Sequence, residues 1–145
     1  MEKHKFDNYY KDFESDLEVK PLDRLNSKKI FNQFYDQINH KIGKENFFKD
    51  ISESITEKIS IIDINDRIGF NNIIKKIDNV TFYNTEKCFL IWDSETGIDQ
   101  CDFSLLTKYW DYIWYGPSDE SMIVFIPGKL ILLVSDWGEI KVKKL

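Results

Sequence analysis

The fold is predicted from the stretch Met122-Ile-Val-Phe-Ile-Pro-Gly-Lys-Leu-Ile-Leu-Leu-Val134. Its halves, Met122–Ile126 and Leu130–Val134, are apolar runs of strand length without polar alternation. Such runs are typical of strands that are covered on both faces of a sheet. Between them Pro127 presets φ and Gly128 permits a positive φ, which favours a type II turn. We therefore predict a hairpin of two adjacent antiparallel strands at the centre of a sheet.

Apolar residues at helical spacing predict the helices of the N-terminal half. The first helix should end before Pro21, because the residue before a proline disfavours helical geometry. Ser27 is the predicted N-cap of the second helix, and Gly43 is its predicted C-terminal cap. A third, shorter helix follows Lys44-Glu45. The apolar positions are, in order, Phe6, Tyr9, Tyr10, Phe13 and Leu17; Ile30, Phe31, Phe34, Ile38 and Ile42; and Phe48, Ile51 and Ile55.

The rest of the chain combines two further helices with short strands. One helix carries Phe70, Ile73, Ile74 and Ile77, and the other begins after Asp102 and carries Phe103, Leu106, Trp110 and Ile113. Strands are predicted at residues 59–62, 80–83, 88–92 and 140–142, with 80–83 and 88–92 forming a hairpin and 93–99 forming a loop. The pattern predicts an α+β fold: N-terminal helices packed on an antiparallel sheet built mainly from the C-terminal half, with one inserted helix. A single domain is expected to span residues 1–145.

The negative charge is concentrated in one segment. The formal net charge is −5, yet residues 1–90 hold 15 Lys or Arg against 16 Asp or Glu. Residues 91–140 hold nine Asp or Glu, only Lys108 and Lys129, and all four tryptophans. A field of this sign repels phosphate backbones and attracts cationic groups. We therefore expect a basic protein as the partner, and no nucleic acid.

Little in the sequence indicates catalysis. The two histidines are His4, near the N-terminus, and His40, predicted on the outer face of its helix. Neither position favours a catalytic Ser-His-Asp or Cys-His arrangement. A calcium loop beginning at Asp93 fails, because its glycine and its final ligand are out of register. We expect no metal and no cofactor. A hydrolase that uses scattered carboxylates is the weakest of the alternatives.

The cysteines and the N-terminus favour a cytoplasmic protein. Cys88 and Cys101 have no zinc-site or redox-motif spacing, so reduced thiols are expected, although the two could still pair. The opening Met-Glu-Lys-His-Lys has no apolar run behind it, and the longest aliphatic runs are only strand-sized. A standard secretion signal and a membrane-spanning segment are both disfavoured. The oligomeric state is left open.

The aromatic run Tyr109-Trp-Asp-Tyr-Ile-Trp-Tyr115 has two interpretations. On a helix, Trp110, Ile113 and Trp114 share one face, so core packing can absorb only part of the run. Exposed aromatic residues interleaved with Asp are typical of protein-binding hot spots. We expect Trp110 in the core, and whichever of Trp114 and Trp137 is exposed as an anchor for a partner.

Parts of the C-terminal half also resemble a protein family. The relevant segments are Trp110-Asp-Tyr-Ile-Trp-Tyr-Gly-Pro-Ser-Asp119, Asp136-Trp-Gly-Glu-Ile140, Ile91-Trp-Asp93 and Asp102-Phe103. Over residues 90–142 they resemble small bacterial domains encoded beside polymorphic secreted toxins, which are regarded as immunity proteins. In α+β organisation alone, the chain also resembles the Smi1/Knr4-like immunity superfamily. The resemblance implies a non-enzymatic antitoxin that binds a cognate toxin and blocks its active site or substrate groove.

Charge, aromatic content and resemblance together predict an immunity protein with an acidic, aromatic-rich binding surface. The alternative is a general protein-interaction or regulatory module without a toxin partner. The predicted partner-binding residues are Asp93, Glu95, Asp99, Asp111, Tyr112, Trp114, Tyr115, Asp119, Glu120, Asp136 and Trp137.

Overall fold

The computed structural model describes residues 1–39, 41–59, 67–77, 80–95, 97–115, 121–136 and 139–145, with residues 58, 59 and 80–82 described through their backbone alone. Among these residues the α-helices are α1 (Lys3–Phe13), α2 (Arg24–Ile38), α3 (Phe47–Ser54), α4 (Arg67–Ile74) and α5 (Phe103–Ile113). The strands are β1 (Lys20–Pro21), β2 (Lys58–Ile59), β3 (Lys87–Ile91), β4 (Ile98–Asp102), β5 (Met122–Ile126), β6 (Leu130–Val134) and β7 (Ile140–Lys144). The predicted α+β class is confirmed. Across the described ranges, no helix has both the length and the apolar character needed to span a membrane.

The predicted hairpin lies at the centre of the sheet. The strand order is β1-β4-β3-β5-β6-β7-β2, and every neighbouring pair is antiparallel. β5 and β6 pair along their whole length, with Ile123 opposite Leu133. Gly128 has a φ of +72°, and Lys129 N donates to Ile126 O over 3.0 Å, as a type II turn requires. The prediction made from this stretch is therefore confirmed.

Helices cover both faces of the sheet, which explains the unbroken apolar runs. Successive side chains of a strand point to opposite faces. Met122, Val124 and Ile126 pack in one cluster with buried residues of α1, α4 and α5. Ile123 and Phe125 pack in a second cluster with buried residues of α2 and α3. Because neither face of β5 or β6 meets water, these two strands require no polar residues.

Both predicted caps of α2 are wrong. The N-cap is Asp23, whose carboxylate accepts from Asn26 N at 2.7 Å, while Ser27 is buried within the helix. The Ser27 hydroxyl instead accepts from Ile98 N on β4 at 3.3 Å. At the other end Asn39 adopts the left-handed conformation with a φ of 50°, so the helix ends before Gly43. Asparagine tolerates that conformation, and it comes first along the chain.

The strand predictions before β5 need correction. Residues 80–85 form a 3-10 helix rather than a strand, so the partner of β3 is β4 and not residues 80–83. β4 itself was predicted in part as loop, because Ile-Asp-Gln-Cys-Asp lacks an apolar pattern. Its pairing with β3 on one side and β1 on the other overrides that local preference. The strand predicted at 59–62 is present as β2, Lys58–Ile59, and residues 60–62 lie outside the described ranges.

Candidate protein-interaction surface

Helix α1 turns part of its aromatic stripe outward. Its buried residues are Lys5 and Tyr9, whereas Tyr10 is 56% exposed and Phe13 is 45% exposed. Successive helix residues are rotated by about 100°, so the buried face is displaced toward one flank of the predicted stripe. Tyr10 and Phe13, three residues apart, are neighbours on the helix surface. The predicted helix is present, but it ends at Phe13, so Leu17 lies beyond it, and two rings of the predicted stripe are exposed instead of buried.

Rings from α5 pack against Phe13 and the buried Tyr9. The Tyr109 ring meets Tyr9 and Phe13 edge-on, with centroid distances of 5.0 and 5.4 Å. Tyr112 meets the same two rings at 5.4 and 5.5 Å. Tyr109 and Tyr112 are half-buried, so one side of the ring cluster packs against the protein and the other side faces solvent. We call Tyr10, Phe13, Tyr109 and Tyr112 the α1–α5 aromatic surface.

Two carboxylates border the α1–α5 aromatic surface. The Tyr112 hydroxyl donates to Asp12 Oδ2 at 2.6 Å. This hydrogen bond is the main reason that the pKa of Tyr112 is raised to about 12, followed by burial and by the charges of Asp12 and Asp111. The phenol therefore stays protonated and holds the Asp12 carboxylate beside the rings. Asp111, exposed on α5, adds a second negative charge.

Of the predicted partner-binding residues, Tyr112 belongs to this surface and Asp111 borders it on α5. Tyr115, just beyond the helix, lies beside α1, where its hydroxyl accepts from Asn8 Nδ2 at 3.3 Å. Its ring centroid is 6.0 Å from that of the exposed His4.

Two other predicted residues are interior, which corrects their assignment. Trp114 is 1% exposed and packs against Trp110, with ring centroids 5.8 Å apart, so it cannot act as an exposed anchor. Trp110 is fully buried and stacks on Phe70 at 3.7 Å, which confirms its predicted place in the core. Asp99 is 3% exposed; its Oδ2 accepts from Trp92 Nε1 at 2.9 Å and from the Met1 amine at 2.6 Å. Trp114 is interior because its ring packs in the apolar core. Asp99 is interior because the Met1 amine and the Trp92 N–H satisfy its carboxylate.

The remaining described acidic residues lie elsewhere. Asp93 is in the β3–β4 loop, where its Oδ1 accepts from the backbone of the exposed Glu95 at 2.7 Å. Asp93 also lines a groove of about 320 Å³ with Lys44 and Lys49 at the start of α3. Because α3 packs on the opposite sheet face from α1 and α5, the predicted set is divided between separate places. Asp136 is exposed at the end of β6. Asp119, Glu120 and Trp137 lie outside the described ranges.

Sequence reasoning missed Tyr10, Phe13 and Asp12 as surface candidates. Their only signal was the aromatic content of α1, which has three rings from Tyr9 to Phe13. Periodicity places these rings on one side of the helix but does not say which of them meets the sheet. That choice depends on contacts with α5, about a hundred residues away.

The described residues contain no group of three or more His, Cys, Asp or Glu side chains that could hold a metal ion. Comparison of the chain with protein-family models, with characterised proteins and with solved structures found no match. The case for a function therefore rests on the surface and on the resemblance of residues 90–142.

Proposed function

We propose that this protein is a non-enzymatic immunity protein that binds a secreted bacterial toxin in the cytoplasm and neutralises it. The α1–α5 aromatic surface is its docking site, and a basic region of the toxin is the ligand. The observation that carries this proposal is the exposure of Phe13 against the half-buried rings of α5, with the exposed Tyr10 three residues away on α1. A contiguous patch of exposed aromatic side chains is typical of a protein-interaction site.

The surface has the rigidity expected of an anchor. Phe13 contacts the rings of Tyr9, Tyr109 and Tyr112. Rings held in this way lose little conformational freedom on binding, so more of the contact energy appears as affinity. Aromatic residues are also the side chains most enriched in binding hot spots.

The bordering carboxylates favour a cationic partner. Asp12 and Asp111 place negative charge at the edge of ring faces that are themselves attractive to cations. A lysine or arginine of the partner could lie over a ring and reach a carboxylate. Complementary charge at the rim accelerates encounter and suppresses wrong partners.

The toxin is proposed as the partner because of the resemblance of residues 90–142 to immunity domains. That segment includes α5, which supplies Tyr109, Tyr112 and Asp111 to the surface. A general interaction module would use the same surface for another basic protein, so the two functions differ in the partner and not in the site.

The test is binding to the product of a neighbouring toxin gene, measured by calorimetry, together with rescue of cells that express the toxin. Phe13→Ala and Tyr10→Ala should each weaken binding by about 2 kcal/mol, about thirtyfold, if the rings are hot spots. Leu25→Ala is the matched control, since Leu25 is 64% exposed but lies on α2 at the opposite face. Equal loss in all three variants, or loss in none, would overturn the assigned surface. Tight binding of another basic protein without toxin rescue would favour the general module.

A further inference from the structure

Two thiols face each other in the sheet. Cys88 on β3 is directly opposite Cys101 on β4. Both cysteines are free and buried, and their Sγ atoms are 3.6 Å apart. The proposed binding surface does not use them.

We propose that Cys88 and Cys101 are a modification site: a hydroperoxide oxidises them to a reversible cross-strand disulfide within the folded protein. Directly opposite residues of antiparallel strands have Cα atoms about 4.5–5.5 Å apart. Disulfides span about 4.4–6.8 Å between Cα atoms. The backbone is thus already at bonding distance, and side-chain rotation is enough to bring the sulfur atoms together.

A polar groove lies beside the strand that carries Cys101. Cys101 is among the residues that line a groove of about 330 Å³, with Glu18, Lys20, Lys87, Gln100 and Asp102. Lys87 Nζ is 2.6 Å from Asp102 Oδ1 and is close enough to interact electrostatically with both cysteines. Gln100 and Asp102 face this groove, whereas the Cys101 side chain points to the other face and packs in the core. The oxidant must therefore be a small molecule that can pass into the sheet, and not a folded redox protein. Cys101 is 3% exposed and Cys88 is 0% exposed, so we assign the first step to Cys101 as the less buried thiol.

Oxidation of the two thiols to the disulfide takes two steps. The Cys101 sulfur attacks one peroxide oxygen, the O–O bond breaks, and a sulfenic acid and water form when the oxidant is hydrogen peroxide. The Cys88 sulfur then attacks the sulfenic sulfur, the S–O bond breaks, and the Cys88 proton leaves with the hydroxide as a second water. Two thiols lose two electrons in total, and one peroxide is reduced to two waters. Burial raises the pKa of the Cys88 thiol, so this thiol stays protonated until the second step.

The bond would constrain the hairpin between β3 and β4. The loop that it closes contains Asp93 and Glu95, and β4 carries Asp99, which holds Trp92. A cross-link within the native register restricts the unfolded chain more than the folded one. The oxidised protein should therefore be more resistant to unfolding.

The test exposes the reduced, folded full chain to hydrogen peroxide, followed by alkylation in denaturant. We expect the loss of two hydrogens in the intact mass, protection of both cysteines from alkylation, and a cross-linked pair of peptides containing Cys88 and Cys101. The melting temperature should rise by about 5–10 °C and return after dithiothreitol treatment. Cys88→Ser should stop at a sulfenic acid that dimedone traps.

Three outcomes would overturn the proposal: both thiols remaining open to alkylation, a disulfide between two chains, or a bond that forms only when the protein is already unfolded. If Cys88→Ser does not fold, the intact mass, the alkylation pattern and the melting temperature of the wild-type protein still test the proposal.

Discussion

The hydroxyl of Tyr112 donates a hydrogen bond of 2.6 Å to Asp12, which lies 100 positions earlier in the chain. This bond joins the outer faces of α1 and α5. In the same arrangement α1 is oriented so that Lys5 is buried and Tyr10 and Phe13 are exposed to solvent. The candidate binding surface therefore depends on one long-range polar contact as well as on ring packing.

The bond should make a pH-dependent contribution to stability. The pKa of Tyr112 is raised to about 12 in the folded protein, against about 10 for an unfolded tyrosine. The folded state binds the phenolic proton more tightly, so the stabilisation is complete below about pH 10 and is lost as the pH rises through about 12. Its size should be about 1 kcal/mol, because the bond is close to solvent. Urea unfolding should show Tyr112→Phe less stable at neutral pH, with the gap closing by about pH 12; a constant gap would contradict this.

Charge reversal at Asp111 should act mainly on the rate of association with the toxin. Asp111→Lys replaces an exposed negative charge at the rim, so association should slow several-fold and its salt dependence should flatten, with little change in dissociation. Surface-plasmon kinetics over a range of salt concentrations measure this effect. Glu53→Lys, at an exposed position of α3, changes the net charge equally and is the control. Identical effects of the two variants would mean that net charge matters and the α1–α5 aromatic surface does not.

Truncation of Trp110 should be strongly destabilising. Its indole is fully buried, stacks on Phe70 and neighbours the ring of Trp114. Trp110→Ala should lower the free energy of unfolding by about 3–5 kcal/mol, because it removes a large side chain and leaves a cavity. Tyr10→Ala, at an exposed ring, should change it by only about 0.5 kcal/mol. Denaturant unfolding measures both, and similar losses would place Tyr10 in the core.

Asp99 should contribute to stability and not to binding. Asp99→Asn removes the buried charge that accepts from Trp92 and from the Met1 amine, so unfolding free energy should fall by about 3 kcal/mol. Glu95→Gln, at an exposed position in the preceding loop, should change stability by no more than about 0.5 kcal/mol. Thermal melting and toxin binding should be measured on both variants. Unchanged stability with weakened binding in Asp99→Asn would restore its assignment as a partner-binding residue.

Amide exchange should be slowest in β5 and β6. These strands are buried on both faces and have a hydrogen-bonded strand on each side. Their protons should therefore exchange only through the largest opening reactions, whereas β1 at the edge should exchange earlier. Hydrogen exchange of the isolated protein, followed by mass spectrometry, measures this order. Early exchange in both β5 and β6 would contradict this architecture.

The central hairpin and the helices could be predicted because their signals are local. Two covered apolar strands and a Pro-Gly turn lie within one short stretch, and the apolar positions of α4 recur at helical spacing. The surface was predicted only in part: Asp111, Tyr112 and Tyr115 lie at the meeting of α5 and α1. Tyr10, Phe13 and Asp12 were missed, because α1 offered no indication of which rings α5 would leave uncovered.

The sequence by itself determined the α+β class, the paired strands β5 and β6, and the burial of Trp110. Only the tertiary structure decided that Ile98–Asp102 is a strand, that Trp114 is interior and that Asp99 is paired. The spacing of apolar residues predicts which side chains share one face of a helix or strand. Whether that face is buried, and which charges pair, depends on residues far away in the sequence. For this reason the charge counted along residues 91–140 did not indicate where on the molecule those charged side chains lie.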